Sequence, residues 1–371
     1  MAASLKILGG VALHMRKGFA LMLLASGLLA VLAVLPVPTL HAQGRFLANG
    51  PLPSVQFPTD NPQTDAKVRL GKQLYFDGRL SSDGTISCAS CHKPDAAWAD
   101  TTPVSEGVGH QKGGRNSPSV INAAYTVPQF WDGRAQHLEK QAVGPVQNPI
   151  EMDLTIPQLE GRLSLIPGYV QQFEQVFGMK PTIAGMAMAI AAFERTIVVN
   201  DSPYDKYLAG ERMAMSRSAM RGMKVFMGKG HCMTCHSGPS FSDSRFHNLG
   251  VGFANGKFKD MGRVVVTKDA TDTGAFLTQR LRNIAQTAPY MHDGSEATLE
   301  AVIEFYDRGG VRNPYLDKAM VPLALTKQEK RELVEFLKAL SGTSPVVAVP
   351  ELPNPELTAQ ELEEMMKGGA K

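Results

Sequence analysis

The sequence is poor in net charge, in cysteine and in the alternating pattern of a half-buried strand. Its 371 residues include 38 basic and 35 acidic residues, and the first 42 residues hold three of the basic ones and none of the acidic ones. The rest of the chain is therefore formally neutral, which gives no electrostatic footprint for nucleic acid. Because few segments alternate polar and apolar residues, the chain is predicted to be mainly α.

The four cysteines all fall in two copies of one motif, Cys-x-x-Cys-His, at residues 88–92 and 232–236. Two thiols at this spacing add to the two vinyl groups of one haem, and the imidazole that follows binds the iron. The same cysteines could instead form a structural zinc site or a redox dithiol. Neither alternative needs a histidine after each second cysteine, so we predict two covalently bound haem c groups. Their attachment residues are Cys88, Cys91, His92, Cys232, Cys235 and His236.

Residues 1–42 have the features of an export signal. Three basic residues precede an apolar run over residues 19–35, and Ala42 provides the small residue that a cleavage site requires. The run is also long enough for an uncleaved membrane anchor, but the prolines that follow it favour cleavage. Since haem c is attached outside the bacterial inner membrane, we predict a periplasmic protein.

Helix caps and apolar spacing predict the main helices. Met186, Met188 and Ile190 are assigned to the core of one helix rather than to iron, because methionine commonly fills core gaps. One short β-like run is predicted at residues 264–267. The predicted caps are Thr64, Ser216, Thr298 and Thr326. The helices are predicted over residues 65–76, 156–175 with a break at 167–168, 182–199, and 326–340, with others after Ser216 and Thr298.

A helix, a turn and a haem motif follow one another in each half of the chain, which indicates an internal repeat. We therefore predict two cytochrome c-like haem domains in tandem, with long loops and little β structure. The N-terminal domain is assigned to residues 43–200 and the C-terminal domain to residues 201–345, with a hinge at 200–203. Residues 346–371 are predicted to be a Pro-rich linker and a peripheral tail.

Several fragments surround the two motifs in a fixed order. They are LGKQLYFDGRLS at 70–81, RNSPSV at 115–120, FWDGRA at 130–135, NPIEM at 148–152, LRN at 281–283 and TAPYMHDG at 287–294. Together, over residues 65–342, they resemble the bacterial di-haem cytochrome c peroxidases and their MauG-type relatives. The resemblance implies that peroxide reacts at the N-terminal haem and that the C-terminal haem passes or stores electrons.

The resemblance also implies roles for residues around the first haem. Trp131 resembles the tryptophan that carries charge between the haems, although a purely structural core tryptophan would also be buried. Glu151 resembles the acid–base residue that moves a proton between the two oxygens of peroxide. Gln141 resembles its partner in the pocket, and Pro145 resembles a wall of that pocket. Without the resemblance, Glu151 would be assigned to a solvated loop.

Three further ligand assignments follow from the same resemblance. Tyr306 occupies the position of the second haem's far ligand, where the peroxidases have methionine and MauG has tyrosine, and a phenolate there lowers the reduction potential. Glu304 and Met291 lie close by and are alternative ligands. His110 lies in a glycine-rich loop near the position of a mobile distal ligand of the first iron; otherwise it belongs to the loop surface.

A calcium ion between the haems is also implied. Asn116, Thr287 and Pro289 resemble the residues that bind it, and an amide oxygen with backbone carbonyls and waters would suit this hard cation.

The predicted function is that of a periplasmic peroxidase that reduces hydrogen peroxide at the His92 haem. Its partner would be a small cytochrome c or cupredoxin as electron donor, or a protein substrate, as for MauG. Tyr306 favours the MauG-like version, whereas Gly230 stands where MauG exposes a tryptophan. A dihaem electron carrier without peroxide chemistry is the alternative, and a haem-based sensor lacks an appended signalling segment. The family resemblance also allows a homodimer.

Overall fold

The computed structural model of the protein describes residues 49–354, so the predicted export signal and residues 355–371 lie outside the described part. The described residues form a mainly helical fold, as the sequence predicted. No helix within residues 49–354 is long and apolar enough to cross a membrane. The strands are β1 (Phe246–His247), β2 (Phe253–Ala254), β3 (Lys257–Phe258) and β4 (Phe276–Leu277). They form two antiparallel pairs, β1 with β4 and β2 with β3.

The α-helices of residues 49–354 alternate with long loops. They are α1 (Asp65–Phe76), α2 (Cys88–Cys91), α3 (Leu138–Gln147), α4 (Ile156–Ser164), α5 (Pro167–Phe177), α6 (Ile183–Glu194), α7 (Pro203–Leu208), α8 (Arg217–Met227), α9 (Val264–Thr267), α10 (Leu299–Asp307) and α11 (Lys327–Ala339).

The predicted N-caps are confirmed. The hydroxyl of Thr64 accepts a hydrogen bond from the backbone N–H of Lys67 (3.2 Å), and Ser216 and Thr298 cap α8 and α10 in the same way. Thr326 forms a reciprocal capping box with Glu329 at the start of α11. These bonds satisfy N–H groups that have no partner within the helix, which is why short polar side chains mark the helix starts.

The first half of the chain packs around the crossing of α1 with α6. Leu70 and Leu74 of α1 are fully buried there, and Met186 and Ile190 of α6 belong to the same apolar core, as predicted. Met188, which was also predicted to be in the core, is only half-buried. A Cβ atom on Gly71 would lie 1.8 Å from the carbonyl oxygen of Ala189. Only glycine therefore allows the two helices to approach this closely.

The second half repeats this packing with α8 and α11. Phe226, Phe241 and Phe336 form the centre of a separate apolar core. A Cβ atom on Gly222 of α8 would lie 1.8 Å from the carbonyl oxygen of Glu332 of α11. Each half thus brings two helices into contact through a glycine that stands before its haem motif.

A second segment is also repeated, at a spacing of 161 positions. Asn122 and Asn283 both have a φ of 61°, and Pro128 and Pro289 both follow cis peptide bonds. The bridge from Gln129 to Ala135 corresponds to the bridge from Tyr290 to Glu296. In each half this loop leads into a helix, α3 in the first and α10 in the second. Residues of α3 and α10 therefore occupy corresponding places beside the two haem motifs.

The predicted type of one element and the predicted boundaries of two others were wrong. Residues 264–267 form the helix α9 and not a strand. The backbone N–H of Lys268 donates to the carbonyl oxygen of Val264, and none of the described strands pairs with this segment. The helix predicted over 182–199 ends at Glu194, since the backbone N–H of Val199 bonds instead to the side chain of Asn122 (3.0 Å). The break in the helix predicted over 156–175 falls at residues 165–166, before Pro167, and the second piece extends to Phe177.

The segment after α11 is less peripheral than predicted. The indole N–H of Trp98 donates to the carbonyl oxygen of Pro345 (3.2 Å), and Arg79 donates to that of Pro353 (3.0 Å). Gln73 of α1 donates to the carbonyl oxygen of Glu351 (2.8 Å). Residues 345–353 therefore cross back onto the N-terminal half.

Candidate active site

The first haem motif lines a cavity of about 500 Å³. Its two thiols and the ring of His92 all face this space. His92 Nδ1–H donates to the carbonyl oxygen of Pro118 (2.9 Å), and burial lowers the pKa of the ring. The imidazole is therefore neutral, with its lone pair on Nε2, as an iron ligand requires. The hydroxyl of Tyr75 donates to the backbone carbonyl of His92 (3.0 Å) and fixes the end of α2.

The second haem motif lines a separate cavity of about 240 Å³. His236 Nδ1–H donates to the carbonyl oxygen of Phe241 (2.9 Å), so this ring has the same tautomer as His92. Burial also lowers its pKa. Cys232, Cys235 and His236 all line this cavity.

Both donor sets fit a covalent haem. Each cavity has two thiols and one neutral imidazole in its wall. Protein interiors are close-packed and seldom enclose spaces much larger than a water molecule, so cavities of this size indicate a bulky group. A zinc site would need the ligands of one motif to converge on a point. Within the described residues, the cluster with metal-ligand spacing near a motif is Cys235, Asp243 and His247, and it leaves out His236.

Glu151 lies in the wall of the first cavity rather than on a solvated loop. Burial raises the pKa of its carboxyl group, and the charge of Arg134 opposes this shift. Asn148 donates a hydrogen bond to Glu151 Oε1 (2.9 Å). A carboxylate with a raised pKa and one fixed oxygen is a stronger base than an ordinary carboxylate and can accept and return a proton.

The glycine-rich loop holds the Glu151 segment in place. The backbone N–H of Val108 donates to the carbonyl oxygen of Glu151 (2.9 Å). A Cβ atom on Gly107 would lie 2.2 Å from the carbonyl oxygen of Ile150 and 2.7 Å from the Cα of Glu151. The close approach of the two backbones thus depends on Gly107.

Gln141 and Pro145 lie one turn apart on α3 and line the same cavity as Glu151. The residue that corresponds to Pro145 in the second half, 161 positions later, is Tyr306 on α10. Tyr306 lines the second cavity with His236, and burial raises the pKa of its phenol. Corresponding positions thus present a phenol in one cavity and proline, which cannot bind iron, in the other.

Trp131 lines both cavities. Its indole N–H donates to the carbonyl oxygen of Asn116 (2.8 Å), and its ring lies edge-on to the ring of His292, with centroids 6.3 Å apart. His292 is stacked on Phe276 at 3.6 Å. The hydrogen bond and the neighbouring rings fix the orientation of the indole between the two sites.

Asn116, Thr287 and Pro289 all line the second cavity. The backbone N–H of Asn116 donates to the carbonyl oxygen of His292 (2.7 Å), and its side-chain N–H donates to that of Thr102 (3.2 Å). The amide oxygen of Asn116 remains available to a cation. The alternative ligand Met291 also lines this cavity, whereas Glu304 is exposed and pairs with Lys330.

His110 lies apart from the other residues. Its side chain is 92% exposed, and its ring pairs with Glu106 at 2.5 Å. It does not line the first cavity in this conformation, whereas Glu106 does. The position matches the loop-surface alternative for His110.

The sequence did not indicate a role for several charged residues of the first cavity, among them Arg134, Glu194 and Arg280. Arg134 lies over the ring of Phe130, 3.5 Å from its centroid, and was present in the fragment FWDGRA. Glu194 and Arg280 line the cavity from α6 and from the loop after β4. Glu194 and Arg280 lie outside the sequence fragments that resemble the family. They are far apart in the chain, and only folding brings them to the same wall.

Comparisons with known proteins agree with this geometry. The family model for di-haem cytochrome c peroxidase matches residues 65–213. The cytochrome-c peroxidase IdrP1 of Denitromonas iodatirespirans is 39% identical, over 86% of this chain and 93% of that protein. The methylamine utilization protein MauG of Methylorubrum extorquens is 38% identical, over 81% of this chain and 85% of that protein.

A solved structure shows the same fold. It is a MauG-like protein associated with microbial copper homeostasis, with 34% identity and a TM-score of 0.73, and it covers 78% of this chain and 93% of that one. The two relatives and the solved structure each cover about four fifths or more of this chain, whereas the family model covers a region that contains the first haem motif. The chain therefore belongs to the di-haem cytochrome c peroxidase and MauG family, and is a peroxidase-type oxidoreductase.

Proposed function

We propose that this protein is a MauG-like peroxidase that reacts with hydrogen peroxide while both of its haems are ferric. The observation that carries the proposal is the asymmetry of two corresponding positions, Tyr306 beside the second haem site and Pro145 beside the first. When bound, the two haems would supply the redox-active irons, with His92 placed to hold the first and His236 and Tyr306 placed to hold the second. The chain's own residues supply the proton transfer, the charge route and the access.

Proton transfer is assigned to Glu151. Cleavage of the O–O bond needs a proton taken from one oxygen of peroxide and delivered to the other oxygen, which departs. Glu151 lies in the cavity wall, its pKa is raised by burial, and Asn148 holds one of its oxygens. Gln141, on the facing helix α3, is assigned to orient peroxide through its amide. Pro145 leaves the space in front of them free of a competing ligand.

Charge transfer between the sites is assigned to Trp131. The indole belongs to the walls of both cavities, and its N–H is held by the carbonyl oxygen of Asn116. Trp98, the other tryptophan of the described residues, is buried in the first core and lines neither of these two cavities. An indole in this position shortens the distance between the two redox groups without offering peroxide a ligand.

The absence of a reductive activation step follows from Tyr306 and His110. A phenolate ligand stabilises ferric iron, so the second haem would resist the reduced state that some peroxidases require. His110 is exposed and paired with Glu106, and it does not block the first cavity. Peroxide would therefore find an open site in the oxidised protein.

The remaining assignments complete the proposal. The protein would act in the periplasm after export through residues 1–42, with a small redox protein or a protein substrate as electron donor. A calcium ion would bind at Asn116, Thr287 and Pro289, which share the wall of the second cavity. The ion would hold the loop of Trp131 against the second half of the chain.

Rapid-mixing absorption of the all-ferric protein with one equivalent of hydrogen peroxide tests the proposal. We expect prompt oxidation of both haem centres, with near-infrared charge-resonance absorption. Tyr306→Met is expected to abolish the near-infrared band and to create a need for prior reduction. A wild-type protein that reacts only after one haem is reduced would be a reductively activated peroxidase, and one that never reacts would be an electron carrier. Either result would refute the proposal.

A further inference from the structure

Arg280 is a cation without an anionic partner, in the wall between the two cavities. Its side chain lines both cavities, and burial lowers its pKa to about 10. Of the five N–H groups of a guanidinium, one donates to the hydroxyl of Thr126 and one to the carbonyl oxygen of Ser119. Three N–H groups therefore remain, and no carboxylate of residues 49–354 lies within ion-pair distance.

Glu194 lies near Arg280 and also lacks a partner. It is 5% exposed, it lines the first cavity, and its Oε2 atom makes no hydrogen bond. Burial raises its pKa to about 8, which favours the protonated form of the carboxyl group. The neighbouring cation Arg195 is engaged by Glu139 through two hydrogen bonds of 2.6 and 3.1 Å.

The two side chains interact electrostatically but do not form an ion pair. Both side chains line one cavity, and each has polar atoms without a hydrogen-bond partner, so a polar group in that cavity could bond to both. A carboxylate would satisfy both, since it could accept two N–H bonds from the guanidinium and one O–H bond from the neutral acid. A single negative charge is enough to balance Arg280, so a carboxylate suffices and a phosphate is not required.

We propose that Arg280 and Glu194 bind a propionate carboxylate of the first haem. Haem carries two such groups at one edge of the porphyrin, and Glu194 faces only the first cavity. The hydrogen bonds to Thr126 and Ser119 fix the guanidinium in the cavity wall. The positive charge of Arg280 would raise the reduction potential of the first haem and make it a stronger oxidant toward Trp131, which shares the wall.

The proposal rests on attachment of the first haem at Cys88 and Cys91. Mass spectrometry of the peptide that contains both cysteines tests that attachment separately. The proposal does not depend on the reaction with peroxide, so its outcome is distinct from that of the rapid-mixing experiment.

The experiment is a spectroelectrochemical titration of the protein with both haems attached, comparing wild type with Arg280→Gln and Arg280→Lys. The matched control is Arg162→Gln, because Arg162 is a buried arginine of the same half that donates to the carbonyl oxygens of Arg79 and Ser81 and lines neither cavity. We expect Arg280→Gln to favour the ferric first haem by about tenfold, a fall of about 59 mV for one electron. Arg280→Lys should retain most of the potential, and Arg162→Gln should change it less than twofold.

Glu194→Gln tests whether the negative charge that pairs with Arg280 is the propionate or Glu194 itself. If Glu194 is a neutral hydrogen-bond donor to the propionate, the amide of glutamine can replace it. The ferric–ferrous equilibrium of the first haem at pH 6 should then change by less than twofold. Resonance Raman bands of propionate bending should shift in Arg280→Gln and stay near their wild-type positions in Glu194→Gln.

Three results would overturn the proposal. One is a haem-loaded Arg280→Gln protein whose first-haem potential equals that of the Arg162→Gln control. Another is a larger shift of the second haem than of the first. The third is a Glu194→Gln protein with a raised first-haem potential, because then Glu194 itself would be the anion that balances Arg280.

Discussion

Replacing Gly107 with alanine is expected to slow peroxide activation without altering any group that touches peroxide. The new Cβ would lie 2.2 Å from the carbonyl oxygen of Ile150, whereas ordinary contact begins at 3.4 Å. The Glu151 segment would therefore have to move by about 1.2 Å. Gly107 has a φ of −106°, which alanine adopts easily, so the effect is steric and not conformational.

A misplacement of about 1 Å at a catalytic group costs roughly 100-fold in rate. We therefore expect the second-order rate constant of the ferric protein with peroxide to fall by about two orders of magnitude. Stopped-flow absorption measures it, and haem content and the spectrum of the second haem should be unchanged. The control is Gly161→Ala on α4, where a Cβ would meet nothing within 4 Å.

A double-mutant comparison tests whether Gly107 acts through Glu151. Glu151→Gln alone should slow the reaction by roughly 100-fold or more. If both changes disable the same carboxylate, Gly107→Ala combined with Glu151→Gln should be no slower than Glu151→Gln alone. A wild-type rate in Gly107→Ala, or multiplied losses in the double variant, would refute the reasoning.

Three further predictions concern the charge near Glu151, the indole and the helix crossings. Arg134→Gln removes a positive charge that lowers the pKa of Glu151, so this pKa should rise. Because the reaction needs the carboxylate form, the acid limb of the rate–pH profile should then move to higher pH. Arg134→Lys should restore the position of the limb, and an unmoved limb in Arg134→Gln would exclude the interaction. Trp131→Phe should leave the first reaction with peroxide intact but slow turnover with an external donor by about tenfold or more, measured by steady-state donor oxidation, and unchanged turnover would remove the indole from the route. Gly71→Ala and Gly222→Ala should each lower the free energy of unfolding, measured by chemical denaturation, by about 1–3 kcal/mol. The reason is that each new Cβ would lie 1.8 Å from a carbonyl oxygen of the facing helix. Free energies within error of wild type would show that the helices can move apart without loss of stability.

The structure also explains why tandem repeats can support different chemistry in their two halves. The loop and helix that follow Asn122 correspond to those that follow Asn283. Within this shared frame, Trp131 corresponds to His292 and Pro145 corresponds to Tyr306. In the proposed function, a few substitutions at corresponding places would be enough to leave one haem site open and to provide the other with a ligand.

The sequence by itself determined the features whose physics is local. A Cys-x-x-Cys-His motif carries its attachment chemistry within five residues, and a capping hydroxyl acts on an N–H three residues away, as at Thr64 and Thr326. The order of fragments around the two motifs was enough to identify the family. The helix α9 was missed because β-branched residues favour strands only where a neighbouring strand is present.

Tertiary structure decided what depends on burial and on distant partners. It buried Glu151 beside Gly107, placed Trp131 in the walls of both cavities, and left His110 on the surface. It also brought Glu194 and Arg280, 86 positions apart in the chain, to one wall without a mutual ion pair. The pKa of a carboxyl group depends on the desolvation and charges created by the whole fold, and no local pattern of residues contains that information.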